Sequence, residues 1–99
     1  MNQHTYTSGT NKGNRRIWIE GNRLAAIGAT KGNTFARTMQ PDGTMQLQIG
    51  NTHKGHRIAG NADRPIIDLC GKWVTRFMGS ADTFTATFTE GAILIAPNA

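Results

Sequence analysis

The sequence predicts a mainly-β protein, two β-α-β-β units folded together as one small, pseudo-symmetric, barrel-like domain. Three observations predict it. Apolar and polar residues alternate over several short stretches, the mark of half-buried strands. Glycine is frequent, at 12 of 99 residues, and glycine with β-branched residues favours short strands and turns over long helices. An apolar-x-apolar-x-Gly pattern also occurs twice, at Ile17-Ile19-Gly21 and Ile67-Leu69-Gly71, fifty residues apart.

The elements follow in order. Residues 1–14 are rich in Asn, Thr and Gly and read as a flexible N-terminal arm. The first unit spans 15–50. Ile17 and Ile19 alternate with Arg16, Trp18 and Glu20, which makes a strand with one buried face. Gly21 ends it, and Asn22 to Ile27 form a short helix with Asn22 as N-cap. Gly28 and Gly32 supply stop and turn positions. Phe35, Arg37 and Met39 share one face of the next strand, Gln40-Pro41-Asp42-Gly43 turns the chain, and Met45, Leu47 and Ile49 share one face of the strand after it. Residues 51–64 are polar, glycine-rich and basic and read as a linker. The second unit spans 65–99. Pro65 opens a strand carrying Ile67 and Leu69, and Gly71 precedes a helix over Lys72 to Met78. Phe84, Ala86 and Phe88 then alternate with Thr83, Thr85, Thr87 and Thr89. Glu90-Gly91 turns into an apolar strand over Ala92 to Ile95, with a short tail after it.

Aligning the halves pairs Ile17-x-Ile19-x-Gly21-x-Arg23-Leu24 with Ile67-x-Leu69-x-Gly71-x-Trp73-Val74. The run Pro65-x-Ile67-x-Leu69-x-Gly71-x-Trp73-Val74 resembles the opening of the SymE-type toxin family, within the AbrB/MazE swapped-hairpin superfamily. The first half carries another part of that pattern, in Arg23-Leu24-Ala25-Ala26-Ile27-Gly28 followed by Gly32. The closing segments Gly43-x-Met45-x-Leu47 and Gly91-x-Ile93-x-Ile95 also fit, so the resemblance covers most of 15–96, twice. The chain departs from the pattern at Met78-Gly79 and Asp82, and at Arg15 and Arg23 in the first half. The resemblance implies two swapped-hairpin-like units. Known members carry one unit per chain and dimerise by exchanging hairpins. Two units in one chain could pair with each other as an intrachain pseudo-dimer, or across chains as a homodimer.

Charge and cysteine content narrow the function classes. The net charge is +5, which favours polyanions. Residues 1–62 hold eight Lys/Arg against two acids, and 63–99 hold three against four, so the excess lies in the first half and the linker. One cysteine, Cys70, gives no intrachain disulfide. The N-terminal segment lacks the apolar core of a signal peptide, and no apolar run is long enough to span a bilayer. The expected location is cytoplasmic, with no membrane partner.

In the swapped-hairpin superfamily, the resemblance implies nucleic-acid binding by basic side chains on strands and loops, without a recognition helix. The candidates are Arg15, Arg16, Arg23, Lys31, Arg37, Lys54, Arg57, Arg64, Lys72 and Arg76. Several phosphate contacts would give salt-sensitive affinity, and arginine also reads guanine edges. Trp18 lies opposite Ile17 and Ile19, faces outward beside Arg16, and is a candidate partner contact. Trp73 is expected in the core. The threonines at 83, 85, 87 and 89 read as a solvent-facing sheet surface or as an edge for a partner strand. His53-Lys54-Gly55-His56-Arg57 reads as a solvated linker or a basic flap. It lacks the cysteine or carboxylate partners of a metal site, and no cofactor is implied.

No catalytic motif is present, so the expected class is non-enzymatic, with ribonuclease chemistry at His53 or His56 left open. The leading expectation is a small DNA-binding regulator or mobile-element accessory protein, with DNA ahead of RNA. A second is a phage or plasmid inhibitor that binds a host CRISPR-type nucleoprotein complex. A third is a SymE-like RNA-directed toxin.

Overall fold

Two antiparallel sheets sandwich a single core. The computed structural model describes residues 2–50, 55–61 and 63–98. In chain order the elements are β1 (Asn2–Thr7), β2 (Gly9–Asn11), β3 (Asn14–Glu20), α1 (Asn22–Ala26), β4 (Thr34–Met39), β5 (Met45–Gly50), β6 (His56–Arg57), β7 (Ala59–Gly60), β8 (Pro65–Cys70), α2 (Lys72–Met78), β9 (Thr83–Thr89) and β10 (Ala92–Asn98). One sheet has six strands in the order β1-β9-β10-β5-β4-β6, and the other has four in the order β2-β3-β8-β7. The mainly-β class holds. The barrel does not close: β1 and β6 stand at opposite edges of the larger sheet and do not pair with each other.

Alternation places the core. Ile17, Ile19, Ile67 and Leu69 face inward from the smaller sheet, and Phe35, Met45, Leu47, Phe84, Ala86, Phe88, Ile93 and Ile95 from the larger, all buried. Leu24 of α1 with Val74 and Met78 of α2 completes it. Each large side chain moved out of water contributes about 1.5–3 kcal/mol.

The pairing register has an internal two-fold. Ile17 faces Leu69, Trp18 faces Asp68 and Ile19 faces Ile67, so the residues matched fifty positions apart exchange places across the β3–β8 ladder. In the larger sheet Met45 faces Ile95, Gln46 faces Leu94 and Leu47 faces Ile93. The pseudo-axis passes through the Trp18–Asp68 pair and the Gln46–Leu94 pair. Gly21 and Gly71 occupy equivalent turns into α1 and α2, both at positive φ (100° and 136°), where a side chain would strain the backbone.

The same symmetry reaches segments with no obvious strand signal. Residues 1–14, expected as a flexible arm, instead supply β1 and β2. Asn2–Thr7 pairs along its length with β9, and Gly9–Asn11 pairs with β3. Within the expected linker 51–64, His56–Arg57 pairs with β4 and Ala59–Gly60 with β8. These are equivalent positions. Gly9 faces Arg16 as Ala59 faces Ile66. Tyr6 stacks on Phe84 with centroids 5.3 Å apart, as His56 stacks on Phe35 at 5.3 Å. The Ser8 amide donates to the Asp82 carbonyl at 2.8 Å, and the Ile58 amide donates to the Asn33 carbonyl at 3.0 Å. Each half is thus five strands and one helix.

Two local expectations change. Asn22 is the first residue of α1 rather than its cap. Gly21 holds the cap position, and no side chain bonds the free amides. The last strand continues through Pro97 to Asn98 rather than ending as a tail, because β9 pairs it as far as Asn98↔Thr83, while β5 pairs only Ala92–Ile95.

Candidate nucleic-acid interface

The ten cations proposed from the sequence fall into three groups. The first is neutralised by the fold. The Arg16 guanidinium donates from Nε and Nη2 to the two carboxylate oxygens of Asp68, both at 2.8 Å. It lies over the Trp18 ring at 4.5 Å. That bidentate hydrogen bond raises the Arg16 pKa further above its ordinary value. Arg15 donates from Nη2 to Asp82 at 2.8 Å, and its amide donates to the Thr75 hydroxyl at 2.9 Å. Both arginines are phosphate ligands on the sequence reading. Their charge is instead largely satisfied by carboxylates brought in from 52 and 67 residues away.

The second group is a single stack. Arg37 of β4 lies 3.8 Å above the Trp73 ring of α2. Trp73 is half-buried against the core edge rather than fully inside it. The Arg37 guanidinium covers its open face, an arrangement worth about 0.5–1 kcal/mol at exposed sites.

The third group has no carboxylate partner among the described residues: Arg23, Lys31, Arg57, Arg64, Lys72 and Arg76, with Lys12 as an addition the sequence reading did not single out. All seven are exposed. Lys54 and His53 lie outside the described residues.

Five of the seven, Lys12, Arg23, Arg64, Lys72 and Arg76, lie around the two short helices. Thr75 of α2 bonds the Arg15 amide and Asn14, which brings the Lys12–Gly13 turn beside the helix carrying Lys72 and Arg76. In the other half, the Gly21 amide donates to the Pro65 carbonyl. That contact brings Arg64 beside the start of α1, which carries Arg23. The pseudo-two-fold therefore repeats one arrangement, a short helix and a β-turn that both bear cations. Arg23 also acts on the Tyr6 phenol. Its charge lowers the Tyr6 pKa, but desolvation outweighs it and the net shift is upward.

The remaining candidates take plain roles. Trp18 is exposed as expected, at 38%, and its ring is already stacked by Arg16. Cys70 is a free, half-buried thiol on β8. His56 stacks on Phe35 at the β6 edge. The threonine stripe of β9 does meet a partner strand, the chain's own β1: Gln3 bonds Thr87 at 3.1 Å and Thr5 bonds Thr85 at 3.3 Å. Among the described residues no three His, Cys, Asp or Glu side chains converge as metal ligands would, and no helix is long and apolar enough to cross a membrane.

Asp68 and Asp82, which decide which arginines are free, carried one partial signal. Asp68 is the fifty-residue match of Trp18, so an antiparallel β3–β8 pair with two-fold register puts them side by side and sets Arg16 within reach. Nothing in the local sequence marks Asp82 as the partner of Arg15. No family model, no curated protein and no solved structure matches this chain.

Proposed function

We propose that the protein is a non-enzymatic nucleic-acid-binding accessory protein that grips the phosphate backbone with the exposed cations around α1 and α2. One observation carries this reading. Of the six acids in the chain, Asp68 and Asp82 are used on Arg16 and Arg15, and no other forms an ion pair among the described residues. Arg23, Lys31, Arg64, Lys72 and Arg76 have no carboxylate partner among the described residues, on a chain of net charge +5. Backbone phosphates are the partners such a surface attracts, and contacts of this kind supply affinity without sequence preference. The resemblance of residues 15–96 to swapped-hairpin units supports DNA ahead of RNA.

The test is binding to random duplex DNA and to single-stranded RNA across a salt series. The comparison is a variant with Arg23, Lys72 and Arg76 changed to alanine. With about five phosphates neutralised, affinity falls on the order of several hundred-fold between about 50 and 200 mM salt. The triple variant flattens that slope by close to three contacts. An Arg15→Ala, Arg16→Ala double variant changes it much less. No binding at low salt refutes the reading and leaves a protein partner as the alternative.

A further inference from the structure

The six-stranded sheet has a second face, turned away from the core, that plays no part in the proposed phosphate grip. Its central cross-strand row runs Thr38, Gln46, Leu94, Thr87, Gln3. The neighbouring rows are threonine, alanine and glutamine, with Asn98 at one corner. Among the described strand residues pointing this way, Arg57 on the two-residue edge strand β6 is the single charged one, and Asp42 of the β4–β5 turn reaches the margin of the face. Leu94, 41% exposed, stands at the centre, where the pseudo-axis passes. A shallow cleft of about 470 Å³ beside it is lined by Gln46, Thr87 and Ala92, with Asp42 at its turn end.

We infer that this face is an isologous contact between two copies of the chain. Charge decides the occupant. Two molecules of net charge +5 repel, and the faces that carry α1 and α2 would set cation against cation. The outer face of the larger sheet lets two copies meet with those cations turned outward. Desolvation is eased there, because many of the polar side chains are already paired within the face. Gln3 bonds Thr87, Asn98 bridges Thr83 and Thr85, and Gln40 bonds Gln46. Burying paired groups strands fewer donors and acceptors than burying free ones. The size suffices. Five strands about 20 Å long and the two-residue β6, each about 4.8 Å wide, give a face of roughly 500 Å², so a pair buries on the order of 1,000 Å², the lower bound of a specific interface. A two-fold contact centred on the row sets the two Leu94 side chains near the axis. The inference stands apart from the phosphate-binding reading, and either can fail alone.

Sedimentation velocity on the full chain, from about 1 to about 200 μM, tests it against the micromolar affinity expected of so small a contact. The expected result is a concentration-dependent monomer–dimer equilibrium. Because the contact centres on uncharged side chains, with Arg57 and Asp42 only at its margins, its dissociation constant moves less than about threefold between about 0.1 and 0.5 M salt. Leu94→Lys places two like charges at the axis and raises the dissociation constant at least about 100-fold. Thr87→Lys does the same from a neighbouring strand. Circular dichroism of both variants keeps the native spectrum, since both side chains point away from the core. A chain that stays monomeric throughout overturns the inference. So does a dimer that survives both variants, or one that dissociates as salt rises.

Discussion

Tyr6→Phe removes one oxygen and leaves the ring, so its effect can be worked from the structure. The ring lies on Phe84, with centroids 5.3 Å apart and planes 18° from parallel, and meets His4 edge-on at 4.6 Å. Phenylalanine keeps both contacts. The hydroxyl is buried and has no hydrogen-bond partner among the described residues. A buried polar group left unpaired costs about 1–3 kcal/mol, so its removal is expected to stabilise the fold by about 1 kcal/mol. For a domain near this size that raises Tm by about 4–8 °C. The gain grows in alkali. Burial raises the Tyr6 pKa above its ordinary 10.0. In the unfolded chain the phenol ionises near 10, while in the native state it keeps its proton to a higher pH. Wild-type stability is therefore complete below about pH 10 and falls as pH rises from there through the native pKa. The Tyr6→Phe variant lacks this loss, so the gap between the two proteins is wider at about pH 11 than at about pH 7. Thermal melts by circular dichroism at both pH values measure it. Tyr6 is the chain's one tyrosine, so phenolate absorbance titrates it alone. A lower Tm for the variant at neutral pH would show that the hydroxyl has a partner and would refute the reasoning.

Four further outcomes are expected. Phe35→Ala and Phe84→Ala remove equivalent, fully buried rings; each costs about 3–5 kcal/mol, and urea unfolding should give matching losses for the two. Gly60→Ala drives a methyl group into the Arg64 carbonyl and the Ile66 side chain at a φ of +87°, and costs at least about 2 kcal/mol. Gly13→Ala, at a similar φ of +83° with open space around it, costs about 1 kcal/mol, so chemical denaturation separates clash from backbone strain. Asp68→Asn frees Arg16 from its bidentate partner; duplex DNA affinity should rise at low salt and its salt slope steepen by about one contact. Asp42 receives hydrogen bonds from the Thr44 hydroxyl and amide, which lower its carboxyl pKa. The β4–β5 turn is thus supported above the ordinary carboxylate range, and that support is lost as pH falls through the lowered value; amide exchange at Thr44 should speed up there.

The strands with a strict period of two were legible, because one face had to be apolar. Ile17 and Ile19, Ile67 and Leu69, and the Phe84-Ala86-Phe88 run all face the core as the alternation requires. The helices were legible from the glycines that precede them. β1 was not, since Asn2 to Thr7 lies at a sheet edge and offers the core little beyond Tyr6. Its signal lay in the fifty-residue offset, which sets Tyr6 against His56 and Ser8 against Ile58, but these pairs share position and not residue type. Openness of the barrel was illegible for a related reason. Alternation says which face is buried, while closure depends on whether two edge strands meet. At the candidate interface, charge counting found the cations but could not tell free from paired. Arg15 and Arg16 look as available as Arg23 until the register brings Asp82 and Asp68 to them.

The position of β10 bears on how the chain assembles as it is made. It sits in the middle of the six-stranded sheet, between β9 and β5, so that sheet has no centre until Ala92 and the residues after it have been synthesised. Among the described residues β1 pairs only with β9, and so waits with its backbone donors and acceptors open until Thr83–Thr89 has been made. An apolar strand left in that state would invite pairing with neighbouring nascent chains. The sequence of β1, Asn-Gln-His-Thr-Tyr-Thr, is soluble while it waits and needs only β9 to order it. The polar character that hides this strand from a reading of the sequence is what keeps it safe on the ribosome.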